Sequence, residues 1–310
     1  MTHLIPISGG KDSQATAIWF AQNRLAQATE RGEAVQLVFC DTGNEAALTY
    51  EFIEKMLVPA LPAGMQNLIV LKNRRGETLL EQAARKGRFP SKKNKFCTAE
   101  LKVEPMIEHI LSFQEDVTIW DGRRRQESPS RSRLEHDGDY FEGYMDFPEK
   151  KAAAKAAGKK VKSPYRYRAV REWTAKHEAR VVRPILMWSA LDVFTFIAAQ
   201  GHRRNPLYDK GFNRVGCFPC VLCSLGEVIR VAEVEPEKIA EIRAVEVAHD
   251  TTFFGPDKIP TRFCANQIVN DDGRLVGAPT IDEVLKYARD KRHDAGLFQG
   301  TCQNPYVACE

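Results

Sequence analysis

The sequence predicts an α/β protein: a doubly wound, five-stranded parallel sheet with helices on both faces, then a mainly helical C-terminal region carrying a cysteine cluster. Three observations predict it. Short apolar runs alternate with stretches of helical spacing through the first 200 residues, the rhythm of successive strand–helix units. A glycine turn, Ser8-Gly9-Gly10-Lys11-Asp12-Ser13, lies between the first apolar run and the first helix. Beyond about residue 200 the rhythm ends, and Cys217, Cys220 and Cys223 precede long helical segments. Residues 1–200 are thus expected to form the sheet domain, with a basic insertion at about 134–179, and residues 201–310 the cysteine and helical region.

The first strand is Leu4-Ile5-Pro6-Ile7 and the first helix begins near Gln14. A strand, a glycine turn and a helix N-terminus direct several backbone N–H groups at one anion. Gly9 and Gly10 let the backbone approach a ligand closely, Lys11 adds a positive charge, and Ser8 and Ser13 add hydroxyls. The turn reads as a phosphate cradle, and it matches neither the Walker A nor the dinucleotide-binding glycine pattern. The second strand, residues 35–40, ends in Asp41-Thr42, a carboxylate and a hydroxyl at the sheet edge where open α/β folds bind ligands. Helical spacing follows over 45–57, a third strand over 68–71 and a helix over 77–86.

A cationic loop at 89–98 then delivers Cys97 to the start of a helix over 99–113 that also carries Lys102. A thiol beside several lysines at a helix start is expected to have a lowered pKa. The fourth strand, 117–120, runs into Gly122-Arg123-Arg124-Arg125 and on to Glu127, Ser128 and Arg131. Arginines at a strand's carboxyl end suit bidentate recognition of phosphate or sulfate, with Glu127 able to orient one of them. Residues 180–185 resume the sheet as a fifth strand, and 188–200 read as an amphipathic helix closed by Gly201. The C-x-x-C-x-x-C knuckle can place three sulfurs round one metal, [4Fe-4S] or Zn2+, leaving a fourth donor to come from elsewhere. Cys97 is the leading candidate, with Cys264, Cys302 and Cys309 as alternatives to it or to Cys223. The tail reads as helical over 225–248 and 281–292.

Composition narrows the class. The chain is 43% hydrophobic and 28% charged, as soluble globular proteins are, and has no apolar run long enough to span a bilayer. The N-terminus enters a strand directly, so no signal peptide is expected and the expected location is cytoplasmic. Eight cysteines in such a compartment favour a metal or redox site over structural disulfides. The formal net charge of +4 is mild, yet residues 150–183 are crowded with Lys and Arg and nearly free of acids. That stretch reads as a solvated insertion or as an arm for DNA or RNA, with Tyr165, Tyr167 and Trp173 as stacking surfaces.

The phosphate cradle resembles the PP-loop of the adenine nucleotide α-hydrolase-like superfamily. The remaining motifs narrow the resemblance to the phosphoadenylyl-sulfate reductase family: Asp41-Thr42-Gly43, Cys97-Thr98 with Leu101-Lys102, Gly122-Arg123 with Glu127-Ser128 and Arg131, Arg183-Pro184-Ile185, and 211–220. The resemblance implies an adenine nucleotide, ATP or phosphoadenylyl sulfate, held by residues 8–13, Asp41, Thr42, Lys102, Gly122, Arg123, Glu127, Ser128 and Arg131. It implies a [4Fe-4S] cluster on Cys97, Cys217 and Cys220, with Cys223 as fourth ligand because Phe96 stands where cluster-bearing members have a second adjacent cysteine. Reductases of the family end in Glu-Cys-Gly-x-His-x-Gly. This chain lacks that motif and offers only Cys309.

The pattern is therefore closer to the sulfur-modifying ATP pyrophosphatases of DNA phosphorothioation. That branch implies adenylylation of a substrate with release of pyrophosphate, Mg2+ on the leaving group, and sulfur supplied by a donor protein. Lys11, Asp12 and Arg123 would then be catalytic. The alternatives are a sulfonucleotide reductase with Cys309 as nucleophile, and a nucleotide-binding subunit of a defence complex without turnover.

Overall fold

The computed structural model describes residues 1–295 apart from 257 and 271. The described chain divides into two compact units, one of Met1–Cys40, Phe52–Leu71 and Val103–Arg204, the other of Asp41–Glu51, Lys72–Lys102 and the residues from Asn205 onward.

The first unit holds the sheet. Its strands are β1 (Thr2–Ile7), β2 (Ala34–Cys40), β3 (Leu68–Leu71), β4 (Val117–Trp120), β5 (Asp137–Asp139) and β6 (Ala179–Val182). They lie in the order β3-β2-β1-β4-β6-β5. The five strands expected from the apolar runs are all present and mutually parallel. Leu4, Ile5, Leu37, Val38, Ile119 and Val181 are almost wholly buried, as a parallel sheet covered on both faces requires. β1 is central, its Leu4 opposite Gln36 on one side and Ile119 on the other. The sheet order therefore reverses between β1 and β4.

The sixth strand was not expected. β5 pairs antiparallel with β6 at the sheet edge and consists of Asp-Gly-Asp, residues with no intrinsic strand preference. It comes from the stretch read as an insertion, and that stretch is anchored rather than loose. Phe141, Phe147, Val170 and Trp173 are buried, all but Phe147 in the same apolar cluster as Leu4, Val117 and Ile119.

The second unit is mainly helical, with a small hairpin of β7 (Gln267–Val269) and β8 (Leu275–Gly277). Helices Leu79–Lys86 and Leu225–Val234 each start in a reciprocal capping box, Thr78 with Glu81 and Ser224 with Glu227. Their apolar faces surround Phe253 and Phe254, both fully buried, with Phe89, Val228, Ile242, Ile281 and Val284. The single helix expected over 225–248 is two, Leu225–Val234 and Pro236–His249. Proline restricts the residue before it, and Glu235 leaves the helical region at φ −140°, ψ 77°. Among the described residues no helix is long and apolar enough to cross a membrane.

Candidate nucleotide site and cysteine cluster

The order reversal between β1 and β4 brings two loops to one crevice of the first unit, residues 8–13 after β1 and 121–131 after β4. Such a switch point is where open α/β sheets bind ligands. Gly9 takes φ +69°, and helix Lys11–Asn23 begins at Gly10 with no side chain capping its start. The loop is braced from within. Ser13 Oγ donates to the Gly10 carbonyl at 2.9 Å and accepts from the Ser8 amide at 3.1 Å. Lys11 is almost wholly buried, its ammonium 5.8 Å from the Phe194 ring centroid and 3.4 Å from Asp12 Oδ2.

The two loops touch. A methyl group on Gly122 would stand 2.9 Å from the Asp12 carbonyl oxygen and 3.0 Å from Thr16 Oγ1, so only glycine permits this approach. Next to it, Arg124 Nε donates to Asp12 Oδ1 at 2.6 Å and its Nη1 to the Trp188 carbonyl at 3.1 Å. Arg124 is 3% exposed. Asp12 thus lies between two cations, one on each carboxylate oxygen, and the trio carries one net positive charge.

The other arginines point elsewhere. Arg123 is exposed and folds back on the Asp121 carboxylate, which also accepts from Arg183 Nε at 3.0 Å. Arg125 Nε donates to the Leu134 carbonyl at 2.8 Å. Glu127 pairs with Arg131, in line with the expectation that it would hold one arginine, and Ser128 hydroxyl meets that of Ser130 at 3.0 Å. Arg124, buried against the loop, was not singled out from sequence. Its extended backbone (φ −118°, ψ 146°) turns neighbouring side chains to opposite sides, a signal that a run of three arginines conceals.

Asp41, Thr42 and Lys102 belong to the second unit. Gly43 takes φ +64° and its amide donates to Asp41 Oδ1 at 2.8 Å, making a tight turn. Glu45, 2% exposed, accepts from the Thr42 hydroxyl at 2.8 Å and from the amides of Thr42 and Asn44. Tyr50 hydroxyl reaches both Asp41 Oδ1 at 2.7 Å and Glu45 Oε2 at 3.1 Å. Burial pushes the Asp41 pKa up, but Tyr50, the Gly43 amide and Lys72 outweigh it and hold the carboxyl below its usual value. Burial and these two carboxylates together drive the tyrosine's pKa well above normal.

The same turn holds the cysteine knuckle. Glu45 bridges to Cys217, the Asn44 carbonyl accepts from the Phe218 amide, and the Asn44 side chain donates to the Pro219 carbonyl at 3.0 Å. Cys220 lies close enough to raise the thiol pKa of both Cys97 and Cys217, and Cys97 raises that of Cys217 as well. The thiol of Cys97 differs from expectation: its pKa is raised, because burial outweighs the neighbouring hydroxyl, amide and Lys102. The lysines of the cationic loop, Lys92, Lys93 and Lys95, are exposed instead. Burial likewise raises Cys217. It pushes Cys223 up to about 12, with that side chain in the apolar cluster beside Val228 and its carbonyl accepting from Lys258.

As donors, four sulfurs suit a soft metal or an iron–sulfur cluster. Among the described residues, however, no group of three or more His, Cys, Asp or Glu side chains is closed round a metal position. Ligation would require Cys223 to turn out of its apolar surroundings. Cys264 is buried against Gly277, while Cys302 and Cys309 lie outside the described residues.

The sequence profile of the phosphoadenosine phosphosulfate reductase domain matches residues 2–223. An uncharacterised 37.8-kDa protein of Escherichia phage 186 is 29% identical over 287 residues, covering 77% of this chain and 73% of its own length. An uncharacterised protein of Methanocaldococcus jannaschii is 29% identical over 74% of this chain, which spans only 44% of that relative. The adenosine 5'-phosphosulfate reductase of Geobacillus thermodenitrificans is 26% identical over 61% of this chain and 63% of its own.

Proposed function

Since the chain belongs to the phosphoadenosine phosphosulfate reductase family, we propose that it binds ATP at residues 8–13 and adenylylates a substrate for sulfur transfer on nucleic acid in the cytoplasm. The observation that carries this reading is the crevice between β1 and β4. There an uncapped helix start, the buried Lys11 and the buried Arg124 surround one carboxylate with an excess of positive charge. Backbone N–H groups and cations fixed in advance stabilise charge where it develops on a phosphoryl group.

In the reaction, an acceptor oxygen attacks the α-phosphorus of ATP, forming a P–O bond as the bond to the bridging oxygen of pyrophosphate breaks. Lys11 and the amides after Gly9 hold the departing pyrophosphate, and Arg123 swings from Asp121 to the α-phosphate. A hydrosulfide equivalent from a sulfur-donor protein then attacks the activated atom, and AMP leaves with the acceptor oxygen. Mg2+ would neutralise charge on the departing pyrophosphate when bound, and both Asp12 oxygens already face cations, Lys11 and Arg124. Cys97, Cys217, Cys220 and Cys223 would hold a [4Fe-4S] cluster or Zn2+, which when bound supplies sulfur-ligated redox or structural chemistry. The test is conversion of ATP to AMP and pyrophosphate by anaerobically purified protein with DNA or RNA present. Absence of AMP overturns the proposal, and tight ATP binding without turnover favours a nucleotide-binding subunit.

A second reading draws on the relative named adenosine 5'-phosphosulfate reductase. Cys309 thiolate would attack the sulfur of an adenylyl sulfate, releasing the nucleotide and leaving an S-sulfocysteine that a dithiol protein reduces to sulfite. Full sulfite release by a Cys309→Ser variant would exclude it.

A further inference from the structure

We infer that the lysine arm at residues 150–162 docks on the phosphate backbone of duplex nucleic acid without reading bases. The inference deepens the acceptor named in the proposed function and rests on it. Between residues 150 and 176 the chain carries ten lysines and arginines and one acid, Glu172. The arm is fixed at its root and bare beyond it. Phe147, at the start of helix Phe147–Ala156, is buried, its ring 5.0 Å from that of Tyr167. Lys150 pairs with Asp146 at 3.5 Å. Lys151, Lys155, Lys159, Lys160 and Lys162 are exposed and form no ion pair among the described residues.

Lys151 and Lys155 are one helical turn apart, about 6 Å along the axis, which is about two phosphate steps of a duplex strand. The helix between them is alanine, with no large apolar face to enter a lipid interface. Single-strand binding needs aromatic platforms, and the three aromatic candidates are already committed. Trp173 is 6% exposed, with its indole N–H donating to the Phe113 carbonyl at 2.7 Å. Tyr165 hydroxyl donates to Glu108 at 2.6 Å, and Tyr167 stacks on Tyr144. The expected stacking surfaces are therefore part of the fold, and what remains outside is charge alone.

The test is fluorescence anisotropy of the full chain, without nucleotide, on two short duplexes of unrelated sequence and on the single strand of one. The duplexes should bind alike and more tightly than the single strand. Replacing Lys151, Lys155, Lys159, Lys160 and Lys162 together by Gln should weaken duplex binding by ~10-fold or more. It should also shrink the slope of log K against log salt by about 0.9 per lost phosphate contact. Arginine at the same five positions should preserve binding. The inference is overturned if the glutamine variant binds like the parent with unchanged melting temperature, or if the single strand binds more tightly. Capture by phosphatidylserine vesicles but not by duplex overturns it as well. Duplex binding as described with no AMP formed would remove the proposed reaction and leave the arm. AMP formation on a duplex that the glutamine variant binds equally well would do the reverse.

Discussion

Arg124 and Tyr50 show how single side chains tune each unit. Arg124 is the buried partner of Asp12 Oδ1, and removing it leaves that oxygen unpaired with only Lys11, 3.4 Å away on Oδ2, to balance the charge. Arg124→Met should lower stability by about 3 kcal/mol, the low end for a buried pair because Asp12 keeps some solvent contact. It should weaken ATP binding as well. Arg124→Lys should recover only part of both, since an ammonium cannot serve the carboxylate and the Trp188 carbonyl with one planar fork. Denaturant unfolding and calorimetric titration with ATP measure the two effects.

In the second unit, Asp41 is held below its ordinary value of 3.8 despite its burial. A depressed folded-state pKa contributes stability above about 3.8, lost as pH falls through the folded value. Tyr50→Phe removes the strongest of the hydrogen bonds that lower it. Its Asp41 carboxyl should titrate at higher pH by carbon NMR, and acid unfolding should begin at higher pH. An unmoved Asp41 titration would mean that the Gly43 amide and Lys72 suffice.

At the scale of elements, close approach is set by glycine and by caps. Gly122→Ala places a methyl group against the Asp12 backbone, which cannot rotate away as a side chain would. The phosphate loop must move, and ATP affinity should fall by ~10-fold, on the order of 1.4 kcal/mol. Gly143→Ala, with nothing within 4 Å of the added carbon, should leave affinity unchanged in the same titration. Ser224 caps the helix that follows the cysteine knuckle, so Ser224→Ala should cost about 1 kcal/mol in denaturant unfolding. The strands were legible beforehand. The stretches at 4–7, 35–40, 68–71, 117–120 and 180–185 all gave parallel strands, the last over Ala179–Val182 only; the inner strands β1 and β4 are largely apolar because both of their faces are buried. β5 was not legible, because an edge strand of Asp-Gly-Asp owes its conformation to the free edge of β6 and not to its own side chains.

Across the whole molecule, the crevice follows from strand order, and the nucleotide should couple to global stability. ATP at one hundred times its dissociation constant should stabilise the chain by about 2.7 kcal/mol, read as a rise in melting temperature. An equal rise with adenosine alone would argue against the phosphate loop as the anchor. The second unit draws residues 41–51 and 72–102 together with the chain from 205 onward, and this is how Cys97 comes near Cys217 and Cys220. No local pattern announces such a grouping, because it depends on contacts between residues more than one hundred positions apart.

The sequence by itself determined the parallel sheet, the glycine turn after its first strand and the family, since each rests on short-range signals: apolar periodicity, glycine beside lysine, and motifs at set spacing. Only the tertiary structure decided which arginine meets the loop, that burial raises the Cys97 pKa, and that Tyr165, Tyr167 and Trp173 serve the core. Those outcomes depend on which side chains exclude water from which others, and burial is a property of the packed chain.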